Sequence, residues 1–201
     1  MKVKGSQAGW GFWLGWVVAS TVGFFVGFWL GFILGLIIIG EDNGINLLRS
    51  ILGYFMFGTS IGAMTGVLQW LVLRGRVSRV GWWVLASTAG LAVARGGAAA
   101  VASGNSEVLG SFEIAVMALG GAMTGILQWL VLRRQVSRAG WWVLASTVGW
   151  GLGMTMEGAG LVLLYVWGTP AYLLWVGSGA VLGAVTGGAL VWLLRQPVPE
   201  A

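Results

Sequence analysis

Residues 62–90 read GAMTGVLQWLVLRGRVSRVGWWVLASTAG, and residues 121–149 read GAMTGILQWLVLRRQVSRAGWWVLASTVG. The two stretches are identical at 24 of 29 positions, so one structural unit occurs twice in the chain. Each copy runs from an apolar segment through a short turn rich in arginine into a second apolar segment. This order is typical of a helical hairpin that enters and leaves a membrane from one side.

The composition around the repeat is that of a membrane protein. Of the 201 residues, 58% are hydrophobic and only 8% are charged, and the mean hydropathy is +0.89. That leaves too little polar surface to cover a water-soluble globule. Cysteine and histidine are absent, which removes disulfides, thiolate metal sites and the most common metal ligand and general base. The net charge of +5 lies mostly in short turns beside apolar segments, so we predict no nucleic-acid partner, no metal and no cofactor.

The charges divide the chain into six apolar segments, each long enough to cross a bilayer as a helix. The segments cover residues 11–39, 47–73, 82–103, 108–132, 141–166 and 171–194. A helix needs about 20 residues to span about 30 Å of hydrocarbon. We therefore predict an all-α membrane protein of one domain, residues 1–201, in which six transmembrane helices form three repeated helical hairpins. The repeat units are residues 10–75, 81–134 and 140–196, arranged as a ring or as an open row.

Basic residues predict the orientation of these hairpins. Nine of the eleven lie before the first helix, in the turns around Arg76 and Arg134, or after the last helix, and the exceptions are Arg49 and Arg95. The positive-inside rule therefore predicts that both termini are cytoplasmic.

Tryptophans cluster at the same ends of the predicted helices. They are Trp13, Trp16, Trp82, Trp83, Trp141 and Trp142 at the starts of helices, and Trp70, Trp129 and Trp192 near the ends. This placement predicts an aromatic belt at one membrane interface, and an aromatic cage for a cation is the alternative.

Small residues predict how the helices associate. Lipid removes the hydrophobic drive between helices, so association depends on close backbone approach, which 36 glycines permit. The first helix carries a small residue at every fourth position from Gly11 to Gly35. The predicted packing glycines are Gly23, Gly27, Gly62, Gly66, Gly121, Gly125, Gly183 and Gly187. We expect this packing inside one molecule, with packing between subunits or against a partner protein as the alternative.

Polar residues repeat on the same helices. Thr65 and Gln69, like Thr124 and Gln128, stand one turn apart on the face of the packing glycines. We predict that they hydrogen-bond a neighbouring helix, and a polar lining for a solute path or a lipid-headgroup site is the alternative. The third unit has Leu190 in the position of the glutamine, which argues against a threefold filter.

Charged residues that break the repeat are the candidates for a specialised role. Counted along their helices, Arg95 lies about 18 Å and Glu157 about 22 Å into the hydrocarbon core. Charges at such depth are costly and normally face the bundle interior. We predict that Arg95 pairs with Glu157 and that Glu113 joins them. Snorkelling of Arg95 and Glu157 to the outer surface is the alternative.

The QWLVLR and GWWVLAS blocks, residues 69–74 with 81–87 and residues 128–133 with 140–146, resemble those of a protein family. The family comprises uncharacterised multi-span membrane proteins of photosynthetic bacteria, such as cyanobacteria and filamentous green bacteria. The likeness covers most of residues 60–150 and is looser at both ends. It implies a multi-pass protein of the bacterial inner (cytoplasmic) membrane, with the thylakoid membrane as an alternative, and it implies no site.

These patterns predict a non-enzymatic protein, because no nucleophile with its base, metal-ligand cluster or phosphate-binding loop appears at a helix end. We expect a bundle of helices rich in small residues that acts as a structural or interaction subunit. Its partners are the lipid bilayer and other membrane proteins or copies of itself. The alternative is a small-solute or ion transporter or channel that uses the cluster around Arg95 and Glu157.

Overall fold

The computed structural model describes residues 9–39, 46–102, 107, 112–167 and 172–196, without the side chains of Ile39, Glu113 and residues 156–172. These ranges hold six long helices and no β-strand. The helices are α1 Trp10–Ile39, α2 Leu47–Leu73, α3 Gly81–Val101, α4 Glu113–Leu132, α5 Trp141–Trp167 and α6 Tyr172–Leu194. The six predicted helices are thus confirmed, with ends within two residues of prediction except the start of α4, which Phe112 precedes in a non-helical turn.

Over the residues that the structure describes, five of the helices are long and apolar enough to cross a membrane. These spans are Trp10–Ile38, Leu47–Leu73, Gly81–Val101, Ile114–Leu132 and Leu173–Leu194. Large apolar side chains such as Ile37, Leu85 and Leu119 point outward and are exposed, as expected where lipid rather than water surrounds a helix. The structure is therefore consistent with a multi-pass membrane protein.

The six helices pack in chain order into a closed ring. Each helix contacts the next one along the chain, and α6 packs back against α1. Every helix therefore has two neighbours, one face toward the ring axis and one face outward. This closure decides between the ring and the open row that the sequence left as alternatives.

Glycines lie where neighbouring backbones approach most closely. A methyl group added at Gly23 would lie 2.6 Å from Thr65 Cα, and one at Gly27 would lie 2.6 Å from Ile61 Cα. Such distances are far below van der Waals contact, so only glycine fits these positions. At each of the other predicted packing glycines, an added methyl group would also lie under 3.0 Å from an atom of a neighbouring helix: Gly62 and Gly66 face α3, Gly121 and Gly125 face α5, and Gly183 and Gly187 face α1. In contrast, no described atom lies within 4 Å of a methyl group added at Gly11 or Gly35, near the ends of α1.

Side chains on the inner faces form three layers along the ring axis. Near the arginine-rich turns, an apolar cluster includes Leu73, Leu132 and Leu190 together with three tryptophans. Toward the other end, a second cluster includes Phe24, Ile61, Leu91, Met117, Trp150, Met154 and Leu182. Buried polar side chains lie between these clusters: Ser20, Thr65, Gln69, Ser87, Thr124, Gln128, Ser146 and Thr186. We call this middle set the polar layer.

Candidate functional site

Three tryptophans, one from each odd-numbered helix, meet on the ring axis. Trp16, Trp83 and Trp142 are at most 1% exposed, and their ring centroids lie 5.9, 6.1 and 5.2 Å apart in pairs. Two of the pairs are edge-to-face, the arrangement that the aromatic quadrupole favours. We call these residues the tryptophan triad. It closes the axis on the side of the arginine-rich turns.

The triad corrects one sequence expectation. Both members of each tryptophan pair were expected in an interfacial belt, but the structure separates them. Trp82 and Trp141 are 62% and 57% exposed, whereas Trp83 and Trp142 are buried on the axis. Adjacent residues on a helix point about 100° apart, so the ring can take in only one of each pair.

Gln69 connects three helices in the polar layer. Its side-chain Oε1 accepts a hydrogen bond from Trp83 Nε1 at 3.0 Å, and its Nε2 donates to Ser20 Oγ at 3.1 Å. The glutamine on α2 is therefore held between α1 and α3. A buried amide and a buried indole N–H that bond each other avoid the cost of desolvated, unpaired polar groups.

Gln128 makes the same pair of contacts one unit later. It accepts from Trp142 Nε1 at 2.9 Å and donates to Ser87 Oγ at 2.8 Å. Ser87 Oγ in turn donates to the carbonyl of Trp83 at 2.9 Å. The glutamine on α4 thus lies between α3 and α5, and both sequence-predicted glutamines bond neighbouring helices rather than lining an open path.

The third unit completes this pattern with a residue other than Leu190, which stands in the position of the glutamine in the sequence repeat. Trp16 Nε1 donates to Thr186 Oγ1 at 3.0 Å, and Thr186 Oγ1 donates to the carbonyl of Leu182 at 2.6 Å. Thr186 therefore takes the place of the glutamine. Leu190, which the alignment put there, is fully buried in the apolar cluster beside the triad.

A one-turn shift of α6 explains this exchange. A methyl group added at Gly179 would lie 2.7 Å from Thr21 Cα. The matching contact in the first repeat is made by Gly62, where an added methyl group would lie 2.8 Å from Thr88 Cα. Gly179, not Gly183, thus occupies the place of Gly62, and α6 is displaced by four residues from the sequence alignment. This displacement also puts Leu182 where α2 and α4 have a threonine.

Thr65 and Thr124 are the two sequence-predicted residues with no hydrogen bond at their hydroxyl groups. Both are 2% exposed, and neither Oγ1 has a partner among the described atoms. They line a cavity of about 10 Å³ together with Gln69, Gln128 and Thr186. A cavity of this size is at the lower limit for one water molecule. It has no room for a metabolite.

Arg95 is the one sequence-predicted charge whose side chain the structure describes. It is 5% exposed, and its guanidinium lies 5.1 Å from the centre of the Phe57 ring, a cation–π contact. Snorkelling to the surface is therefore wrong for Arg95. The side chains of Glu157 and Glu113 lie outside the described part of the chain, so their pairing with Arg95 stays a prediction.

Sequence reasoning missed the triad and the role of Thr186. One signal was available for the triad, because Trp16, Trp83 and Trp142 open the same W-V-x-A-S-T-x-G block in three helices. Among the described residues, no group of three or more carboxylates or other metal-ligating side chains could hold a metal ion.

Comparisons with protein-family models, with curated proteins and with solved structures find no match to this chain. The resemblance to membrane proteins of photosynthetic bacteria therefore stays an expectation from the two sequence blocks.

Proposed function

We propose that this protein is a non-enzymatic, multi-pass protein of a bacterial inner or thylakoid membrane that acts as a structural or interaction subunit. The proposal places three repeated hairpins in the bilayer with both termini in the cytoplasm. The arginines at one end of the bundle support this orientation. The two turns that follow α2 and α4 carry six arginines, and these are Arg74, Arg76, Arg79, Arg133, Arg134 and Arg138.

The observation that carries the proposal is the closed axis of the ring. The tryptophan triad fills the axis on one side, and the cavity behind it measures only about 10 Å³. A transport path needs room for at least a dehydrated ion together with ligands that can exchange. Here the glutamine and tryptophan side chains bond one another instead, which supports a static core.

Flux through the purified protein tests this proposal. In liposomes, we expect the rates of K⁺, Cl⁻ and glycerol release to equal those of protein-free vesicles. Release above that background would contradict the structural role. A second experiment is purification from native membranes in a mild detergent. A structural subunit is expected to copurify with a partner at a constant stoichiometry.

Transport of a small solute or ion is the second candidate function, and the burial of Arg95 favours it. A charge inside a transmembrane bundle commonly marks an ion pathway. Replacement of Arg95 by methionine separates the two candidates. Transport predicts a flux in the wild type that the Arg95→Met variant loses, whereas the structural role predicts background flux from both proteins.

A further inference from the structure

A groove on the outer surface lies between α3 and α4 at the end of the arginine-rich turns. Its volume is about 740 Å³, and its lining includes Arg79, Arg133 and Arg134 at the turns. Farther along the helices its walls are apolar and include Leu85, Leu127 and Leu130. Leu85 and Leu130 are 58% and 45% exposed, so these walls are open to whatever surrounds the bundle.

The chemistry of this groove changes along its length in the same way as that of a phospholipid. Arg79, Arg133 and Arg134 line one end, where arginine side chains can bind phosphate oxygens in the bidentate manner that arginine favours. In the unliganded protein the Arg133 guanidinium lies 5.5 Å from the centre of the Trp129 ring. Leu127 precedes Arg133 by six residues, so the apolar wall begins at the arginines and extends about 9 Å along the helix. Trp82 also lines the groove, and tryptophan is typical of the headgroup level of a bilayer.

We propose that this groove binds an anionic phospholipid, with its phosphodiester headgroup on Arg79, Arg133 and Arg134 and its upper acyl chains along Leu85 and Leu130. This assignment rests on the proposed placement of the bundle in a membrane. It names a lipid as one partner of the interaction subunit. In the proposed orientation the site faces the cytoplasmic leaflet, whose anionic lipids attract basic residues near the membrane surface.

Gln135 fixes the two turns that carry the arginines. Its Oε1 accepts hydrogen bonds from Ser78 N at 2.6 Å and from Ser78 Oγ at 2.9 Å, and its Nε2 donates to the carbonyl of Ser78 at 3.0 Å. The turn after α2 is thereby tied to the turn after α4. Because the turns cannot separate freely, Arg79 of one and Arg134 of the other are held at the same groove, which lowers the entropy cost of binding.

The repeat supplies a built-in comparison for this groove. Gly75 and Arg76 stand in the first turn where Arg134 and Gln135 stand in the second. The Arg76 guanidinium lies 4.8 Å from the centre of the Phe12 ring, away from the groove. A surface cavity on α5 is lined by one arginine only, Arg138, with Trp141 and Leu144. The cluster of three arginines therefore belongs to the α3–α4 groove.

The test measures lipid bound to the detergent-solubilised protein by native mass spectrometry. We expect phosphatidylglycerol to bind in preference to phosphatidylcholine, and the double variant Arg133→Gln, Arg134→Gln to lose about tenfold or more of the affinity for phosphatidylglycerol. The matched control is Arg74→Gln, Arg138→Gln. It removes the same charge from arginines that do not line the groove, and we expect less than a twofold change.

Three results would overturn the assignment. The first is an equal loss in both double variants, which would show a general charge effect. The second is equal binding of the two lipids. The third is displacement of phosphatidylglycerol by soluble glycerol phosphate at the same concentration, or by an acidic peptide, because either would show that the apolar walls contribute nothing. Flux through the purified protein, with lipid binding intact, would instead overturn the structural role alone.

Discussion

At the scale of single residues, the threonines of three G-A-x-T-G sequences, at residues 62–66, 121–125 and 183–187, have different surroundings in the structure. Thr186 accepts a hydrogen bond from the indole of Trp16. The hydroxyl groups of Thr65 and Thr124 have no partner among the described atoms. A buried hydroxyl without a hydrogen bond lowers stability by about 1–3 kcal/mol relative to a bonded one. The three positions should therefore respond differently to the same substitution.

We expect Thr65→Val and Thr124→Val to leave the free energy of unfolding unchanged or to raise it, because valine removes the unbonded hydroxyl and keeps the shape. Thr186→Val should lower it by about 1 kcal/mol, since the indole N–H of Trp16 loses its acceptor. Reversible unfolding in mixed detergent micelles gives the three values. An equal effect of all three substitutions would support the alignment by sequence and contradict the shifted register of α6.

Single residues also show where sequence reasoning stops. The polar character of Gln69 and Gln128 indicated bonds to neighbouring helices, but their partners Trp83 and Trp142 were expected at the membrane interface. A run of two tryptophans does not reveal which one faces the axis. That choice is made by the rotation of the helix against both neighbours, and the rotation depends on contacts between residues far apart in the chain.

At the scale of elements, the boundaries of the helices follow from local sequence, whereas the register of α6 does not. Apolar length and the charged turns set the helix ends. Gly179, Gly183 and Gly187 are spaced by four residues, so α6 offers two overlapping pairs of glycines that can pack against α1. A local pattern cannot choose between registers one turn apart. In the register that the structure adopts, Gly187 packs against the Trp16 ring, and a methyl group added at Gly187 would lie 2.8 Å from that ring.

The glycines of α1 allow a prediction with a control in the same helix. Gly23→Ala and Gly27→Ala should each lower the unfolding temperature clearly, because the added methyl group would lie 2.6 Å from an α2 backbone atom. Gly11→Ala should leave the temperature unchanged or raise it, since Gly11 is exposed and no described atom lies within 4 Å of the added methyl group, and alanine favours a helix over glycine by up to about 1 kcal/mol. A similar loss at all three positions would contradict the packing of α1 against α2 at its middle.

At the scale of the whole molecule, the axis of the bundle is closed because α6 packs against α1 and completes the ring. The three W-V-x-A-S-T-x-G helices bring Trp16, Trp83 and Trp142 together only if α6 returns to α1. Sequence repetition predicts similar hairpins but not the angle between them. The sequence therefore could not decide between a ring and an open row of hairpins. The decisive contacts include Trp13 Nε1, which donates to the carbonyl of Ala184 at 3.1 Å, and they join the two ends of the chain.

Cysteine cross-linking tests this closure most directly, because the chain has no cysteine of its own. Trp10 and Gly188 line one groove between α1 and α6, and both are exposed. With Trp10→Cys, Gly188→Cys in native membranes, we predict that a short bis-maleimide forms a link within one molecule. The control pair Trp10→Cys, Leu130→Cys joins α1 to α4, which are not ring neighbours, and should not react. A product found only as a dimer, or equal reaction of both pairs, would contradict the closed ring.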